Sequence, residues 1–372
     1  MSIRMIEEDR LELPTHVRAL ILFFSLAAGL AAMALIFAAS GKNPAVGLWR
    51  IFRSGFLTSY GIGETLSRAL PLALTGLGLC VAFHGRFWNI GAEGQILAGA
   101  CMATWVGLGL GSSEVPGALV IGLMALAGVA GGAAWGLLAA LLRNYAEMNE
   151  TISTLMLNYV LAEFVRFLIV GPWKGKTQHG FPYTDNLSDK VMLATVPGTR
   201  IPYLTVGLAL LAIVLIYAVL RRTKFGYEIR VLGENREAAR YAGIDAKKLT
   251  VFMMLISGGL AGLAGFGEIA ANHRHMTYPD TISAGYGFTA IIVAQLANRD
   301  PRWVAVSSIF FAGIIVGGDS IQIAMGLPAA TVQVFQGVIL LFLIMSEFFM
   351  RSRLRLVVRK AGGQIPGEAV HG

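Results

Sequence analysis

Two apolar runs, at 201–220 and 249–271, are each long enough to cross a bilayer, and between them the chain carries RRTKFGYEIRVLGENREAARYAGIDAKK at 221–248. That stretch holds eight of the thirty basic residues and four of the twenty-two acidic ones. Charge at this density is too costly to leave in hydrocarbon, so the stretch must be an aqueous loop joining two spans. Within it Asn235 is suited to cap a short helix over 236–242, and Gly243 to end it. About two turns of helix do not hold together alone in water. The loop helix is therefore expected to dock against another surface.

Composition places the rest of the chain in the same setting. Mean hydropathy is +0.65, only 14% of the 372 residues are charged and 45 are glycine, a profile no soluble domain can hide. The expected fold class is all-α: a polytopic membrane protein with about ten transmembrane helices. Apolar runs put them near 19–39, 66–83, 94–110, 117–142, 151–170, 203–220, 250–271, 285–297, 303–318 and 331–349. This divides the chain into an N-terminal segment at 1–18, a membrane domain at 19–350 that includes the loop 221–248, and a basic tail at 351–372. The polar start is too long for the leading part of a signal peptide, so the first span is expected to be retained.

A net charge of +8 invites a nucleic-acid partner, but the basic residues fall in loops. With ten alternating spans and the N-terminus inside, 20 of the 30 Lys and Arg lie on the cytoplasmic side, which predicts both termini there and no nucleic acid. Two long external segments remain. In the first, at 40–65, Trp49, Phe52 and Phe56 recur at helical spacing and predict a helix lying in the membrane interface. The second, at 171–202, is rich in Pro, Gly and Lys and reads as a folded lip. Glycines four apart at Gly128, Gly132 and Gly136, at Gly258 and Gly262, and at Gly313 and Gly317 predict closely packed helices.

Few stretches carry chemistry. GRFWNIGAEGQ, at 85–95, sets Asn89, Glu93 and Gln95 among glycines between two apolar runs. Polar groups at this depth face either a translocation route or a hydrogen-bonded knot that fixes helix ends. MNETISTLMLNY, at 148–159, opens a span with Asn149 as its cap and Asn158 inside, a second candidate for the route or for interhelical bonding. Glu163 and Arg166 are spaced for an ion pair along one helix face. GPWKGKT, at 171–177, has three residues between its glycines where a phosphate-binding loop needs four, and it follows a span rather than a strand. The pair His273 and His275 lacks further ligands, so no metal site is expected. Cys80 and Cys101 sit in apolar runs without redox or metal spacing. No nucleophile and base pattern marks an enzyme.

FWNIGAEGQ near 90, MNETISTLMLNY near 150, GYEIRVLGENREAARYAGI near 230, SGGLAGLAGFGE near 260 and GYGFTAIIVA near 285 follow one another in this order. Together they resemble the permease subunit of bacterial ABC importers of the branched-chain amino acid and simple sugar permease superfamily. Within it the chain is most similar to nucleoside permeases that work with a basic membrane lipoprotein-like binding protein. The resemblance implies a ten-span fold of the second importer type in the bacterial inner membrane. It implies a coupling helix in the groove of an ATPase subunit, formed by Glu234, Asn235, Glu237, Ala238, Ala239, Arg240, Tyr241 and Gly243, with the alanines and Tyr241 free to dock. It also implies a second permease subunit, an ATP-binding subunit that holds ATP and Mg, and a periplasmic or lipoprotein solute-binding protein. This chain itself would bind no cofactor. Nucleosides are the expected solute, with a sugar or another small heterocycle as the alternative. An ion-driven secondary transporter is the rival class, and it would place acids in mid-span.

Overall fold

The computed structural model describes residues 2–9, 14–177 and 180–326, scattered helical positions between 334 and 346, and residues 352–359. The chain divides into two compact units, one made of Met1–Trp49 with Gln322–Gly372 and the other of Arg50–Ile321. In chain order the helices are α1 (Thr15–Ala39), α2 (Pro44–Phe56), α3 (Ser59–His84), α4 (Ala92–Leu110), α5 (Gly117–Tyr145), α6 (Glu150–Val170) and α7 (Tyr203–Arg222). They are followed by α8 (Lys224–Glu234), α9 (Arg236–Tyr241), α10 (Ala246–Gly267), α11 (Pro279–Ile282), α12 (Tyr286–Leu296) and α13 (Pro301–Met325). A π-helical turn, Glu268–His273, continues α10.

Among the described residues the long apolar runs are helical. In the first unit β1 (Ser2–Asp9) pairs antiparallel with β2 (Ser352–Arg359) in a two-stranded ribbon. The sequence RLRL at 353–356 alternates with the period of a strand, a signal the basic-tail reading passed over.

Among the described residues six helices are long and apolar enough to cross a membrane: α3, α5, α6, α7, α10 with its π turn, and α13. The expected ten are therefore not all found. The run at 331–349 lies largely outside the described residues. The run at 285–297 becomes α12, whose 11 residues reach only about 16 Å, half the hydrocarbon thickness. Hydropathy alone does not reveal that a run stops short.

α3 is the central strut of the second unit. Its 26 residues extend about 39 Å, and from Ala69 to Phe83 nearly every one is buried against α10, α12, α7 and α8. Around it, helices approach backbone to backbone. A side chain at Gly132 would run into the carbonyl of Gly258, one at Gly262 into that of Gly128, and one at Gly99 into the backbone of Gly262. The spaced glycines of α5 and α10 thus interlock with each other and with α4, as their spacing predicts. Gly313 and Gly317 of α13 likewise admit Phe56 and Ile51 of α2, while Phe52 on the same helix stays half exposed. The lip at 171–202 is sewn to the segment after α10 by Thr184 N–H to Met276 O (3.0 Å), Leu187 N–H to Arg274 O (2.7 Å) and Leu193 N–H to Ala270 O (2.9 Å).

Gly262→Val should lower unfolding stability in detergent by about 1–3 kcal/mol or more, because its methyls have only backbone to displace. Gly122→Ala, where an added Cβ meets nothing within 4 Å, should leave the unfolding midpoint unchanged. Equal midpoints for the two variants would show that close approach does not hold α5 to α10.

Candidate functional site

The loop at 221–248 folds into an elbow. α8, an amphipathic helix not foreseen from the sequence, begins at Thr223, whose Oγ1 accepts from Gly226 N–H at 3.1 Å. Gly226 lets α8 fold tightly against the end of α7, and Arg230 donates to the Leu220 carbonyl. Gly233 brings its far end onto the His84 carbonyl at the end of α3. Asn235 is the hinge: its N–H closes α8 on Val231 O (3.0 Å), while its side-chain oxygen caps α9 by accepting from Glu237 N–H (2.8 Å) and Ala238 N–H (3.1 Å).

α9 ends as the sequence predicts. Gly243 adopts φ +73°, its N–H reaches Arg240 O (3.1 Å), and Ile244 N–H reaches Ala239 O (3.0 Å), the paired bonds of a left-handed helix stop. Asp245 then caps α10, accepting from Lys247 and Lys248 N–H at 3.1 Å each, and these backbone bonds hold its carboxyl below the usual range. One expectation is corrected. Ala239 is fully buried under α9 and is not free to dock, because α9 needs one face to rest on α8 and α10. The free face consists of Arg236, Glu237, Ala238, Arg240, Tyr241 and Ala242, with Tyr241 92% exposed. Glu234 and Asn235 are exposed beside it at the bend.

The polar residues at 85–95 form a knot. Asn89 donates to Gln95 Oε1 (3.0 Å) and Ser257 Oγ (3.1 Å), and its own oxygen accepts from Gly91 N–H (2.9 Å). Asn158 of α6 spans the same break. Its oxygen accepts from Gly94 N–H (2.8 Å), and its amide donates to Ile90 O (2.9 Å). Thr154, one turn earlier, accepts from Ile90 N–H at 3.2 Å. Glu93 reaches away from this group to the start of α12, where its two oxygens accept from Gly285 N–H (3.0 Å) and Gly287 N–H (2.7 Å). A carboxylate at the open N-terminus of a half-length helix satisfies donors that would otherwise be orphaned in the membrane.

Asn89, Gln95 and Asn158 are thus brought together and Glu93 sits next to them. Asn149 stands apart as the exposed cap of α6, accepting from Thr151 and Ile152 N–H. Glu163 and Arg166 pair at 2.6 Å, as expected, and Arg166 also reaches Asp280 at 3.3 Å.

The remaining motifs are accounted for locally. In GPWKGKT the backbone N–H groups of Lys176 and Thr177 are taken by Asp185 at 3.3 and 3.0 Å, so the loop already carries its own anion. The Thr177 hydroxyl and these backbone bonds hold the Asp185 carboxyl below its usual range. His273 faces Glu268 at 3.5 Å and His275 packs on Tyr183. No set of three metal-ligating side chains converges among the described residues.

The sequence reading missed a cluster at the other end of α3. Arg68 pairs with Asp319 of α13 (2.6 Å) and faces Glu64 (3.9 Å), which in turn faces Arg200 of the lip (3.5 Å). Its one local signal is a charged pair four apart in an otherwise apolar helix, but the apolar run begins at 66, beyond Glu64.

A family model described as a branched-chain amino acid transport system permease component matches residues 61–344. The glucose ABC transporter permease protein TsgB13 of Haloferax volcanii is 37% identical to this chain over 87% of it and 86% of the relative. The guanosine ABC transporter permease protein NupP of Bacillus subtilis is 30% identical, over 86% and 90% respectively. The nucleoside ABC transporter permease protein NupB of Lactococcus lactis is also 30% identical, over 83% and 86%.

Glu93→Gln should destabilise the fold by about 1–3 kcal/mol, since the amide nitrogen replaces one acceptor and faces a backbone N–H. Chemical unfolding of the purified chain in detergent measures this. A change in transport with no change in unfolding would mean that Glu93 is not the cap on which α12 depends.

Proposed function

The chain belongs to the branched-chain amino acid transport system permease component family, and from that premise we propose that it carries nucleosides across the bacterial cytoplasmic membrane. As a member it is the permease subunit of an ABC importer and not itself an enzyme. In the proposed assembly it forms half of the pathway beside a second permease subunit. An ATPase subunit carries the ATP and Mg, and a binding protein delivers solute to the external face.

The observation that carries the coupling proposal is the elbow. α9 is capped at both ends, rests on the membrane domain through Ala239, and turns a charged face with a protruding tyrosine to solvent. Such a face suits a groove on a partner, where the aromatic side chain anchors and Arg236, Glu237 and Arg240 set register. Movement of α9 passes through Asn235 to α8, and through the Gly233 contact to α3. ATP binding drives transport only if it favours one of the two access states over the other. A rigid elbow seated on the central helix gives that preference a route.

The elbow would lie on the cytoplasmic side, where the basic residues concentrate. The antiparallel pairing of β1 with β2 favours placing both termini on one side. Asn89, Glu93, Gln95 and Asn158 serve the pathway, in this reading, by bracing the broken backbone around it. Nucleosides are favoured by two of the three relatives above. A hexose is the second reading, favoured by the higher identity to the glucose permease.

The test is ATP-driven uptake of labelled guanosine and labelled glucose into vesicles holding the whole assembly. Tyr241→Arg should cut uptake at least tenfold and leave the unfolding midpoint unchanged, because Tyr241 touches little of its own chain. Ala239→Arg should lower the midpoint as well, because the site is filled. Uptake that survives Tyr241→Arg sinks the coupling assignment. Uptake of glucose without guanosine replaces the first solute reading by the second.

A further inference from the structure

Beside the Glu64 cluster lies a cavity of about 220 Å³, lined by Ser59, Tyr60, Gly63, Glu64, Gly198, Thr199 and Arg200. It opens at the Ser59 end of α3, whereas the elbow sits on the His84 end, so the two lie at opposite ends of that helix. The Glu64 side chain is only 10% exposed, yet its carboxylate makes no direct hydrogen bond among the described residues. Its contacts are the two guanidinium groups, at 3.5 and 3.9 Å. A nearly buried carboxylate normally has its lone pairs filled. Here the residue lines a cavity, and only the two guanidinium groups stand against its oxygens among the described residues.

We infer that this cavity is an entry subsite for the solute, in which Glu64 accepts the two hydroxyl protons of a vicinal diol. Two adjacent hydroxyls present two donors, and the carboxylate presents two oxygens in one plane to receive them. The binding is charge-assisted, and each such bond is stronger than one between neutral groups. Arg68 and Arg200 set positive charge beside the two carboxylate oxygens. Arg200 is 68% exposed on the lip, so it is free to shift when a solute enters.

The cavity is smaller than the roughly 300–1,000 Å³ of a pocket that swallows a whole ligand. It takes one polyol ring and leaves the rest of the solute outside, near the Tyr60 ring at the rim. A ribose and a pyranose both meet that requirement, so one site serves either solute proposed above. The inference rests on that solute reading only for its choice of probes.

Lodging a solute against Glu64 draws the carboxylate away from its guanidinium partners. Glu64 lies one helical turn from Arg68, which holds Asp319 of α13. Occupancy of the cavity therefore bears on the ion pair that ties α3 to α13.

The experiment compares uptake of a ribonucleoside and its 2′,3′-dideoxy analogue by the full assembly, with wild type and Glu64→Gln. The binding protein is the same in both, so its own preference cancels in the ratio of ratios. The wild-type permease should favour the diol, and Glu64→Gln should lose about tenfold of that preference through KM for the riboside, with kcat and the dideoxy analogue little changed. Glu64→Asp should restore part of it. Should Glu64→Gln fail to assemble, Ser59→Phe fills the cavity without touching the ion pairs and should erase the same preference. An unchanged ratio in Glu64→Gln or Ser59→Phe overturns the subsite and leaves the solute reading standing. An equal fall in kcat for both solutes also overturns it, because that marks a purely structural role. Transport confined to solutes that lack a diol overturns both.

Discussion

Close approach of helix backbones is the constraint on which the second unit depends. Inside a bilayer, apolar side chains gain nothing by leaving lipid for one another, so helices associate through dense packing and polar contacts. Gly99, Gly128, Gly132, Gly258, Gly262 and Gly265 remove the side chains that would hold α4, α5 and α10 apart. Gly78 does the same where α3 meets Ser257 on α10. Because the contact is between backbones, a displacement of one helix is transmitted to the next without loss in flexible side chains. The same chemistry that makes the core assemble makes it a stiff transmitter.

That stiffness gives the elbow its meaning. α9 alone is too short to be stable and too exposed to be a core element, yet it is capped at both ends and seated on α8. α8 in turn meets α3 at Gly233, where any side chain would strike the His84 carbonyl. α3 then runs, almost wholly buried, to the Glu64 cluster at its other end. Pro71 interrupts this strut three residues after Arg68. It removes one backbone hydrogen bond and gives the helix a natural place to bend. One helix thus joins the elbow with a charged cluster at the opposite end, and its bend point lies next to that cluster.

Features written in local chemistry were legible in the sequence. Asn235, Gly243 and Asn149 act on neighbours within five residues, and all three do what their residue types prescribe. The glycine spacings were legible for the same reason, since a period of four defines a helix face whatever lies opposite. Features that depend on distant partners were not. α8 contains two glycines with poor helix propensity, and it forms because those glycines let it rest on α7 and α3. Ala239 was indistinguishable from Ala238 by residue type, and only the seating of α9 decides which is buried. α12 reads as a short span by hydropathy, but its start is set by Glu93, almost two hundred residues earlier in the chain.

Glu93 and Glu64 are both buried carboxylates in an apolar domain, and the contrast between them says where movement is possible. The acceptors of Glu93 are filled by backbone N–H groups of Gly285 and Gly287. Withdrawing it leaves two backbone N–H groups at the start of α12 without their carboxylate acceptor, the costly loss of buried hydrogen bonds. Glu64 is instead held by long side chains that come from its own helix and from the lip. Such guanidinium partners rotate about several bonds, and their mutual attraction is recovered when they meet another acceptor. An alternating-access cycle needs some contacts that never break and others that exchange partners at small cost. The knot around Asn89 and Glu93 is built as the first kind. The Arg200, Glu64, Arg68 and Asp319 chain, which joins α3, the lip and α13, is built as the second.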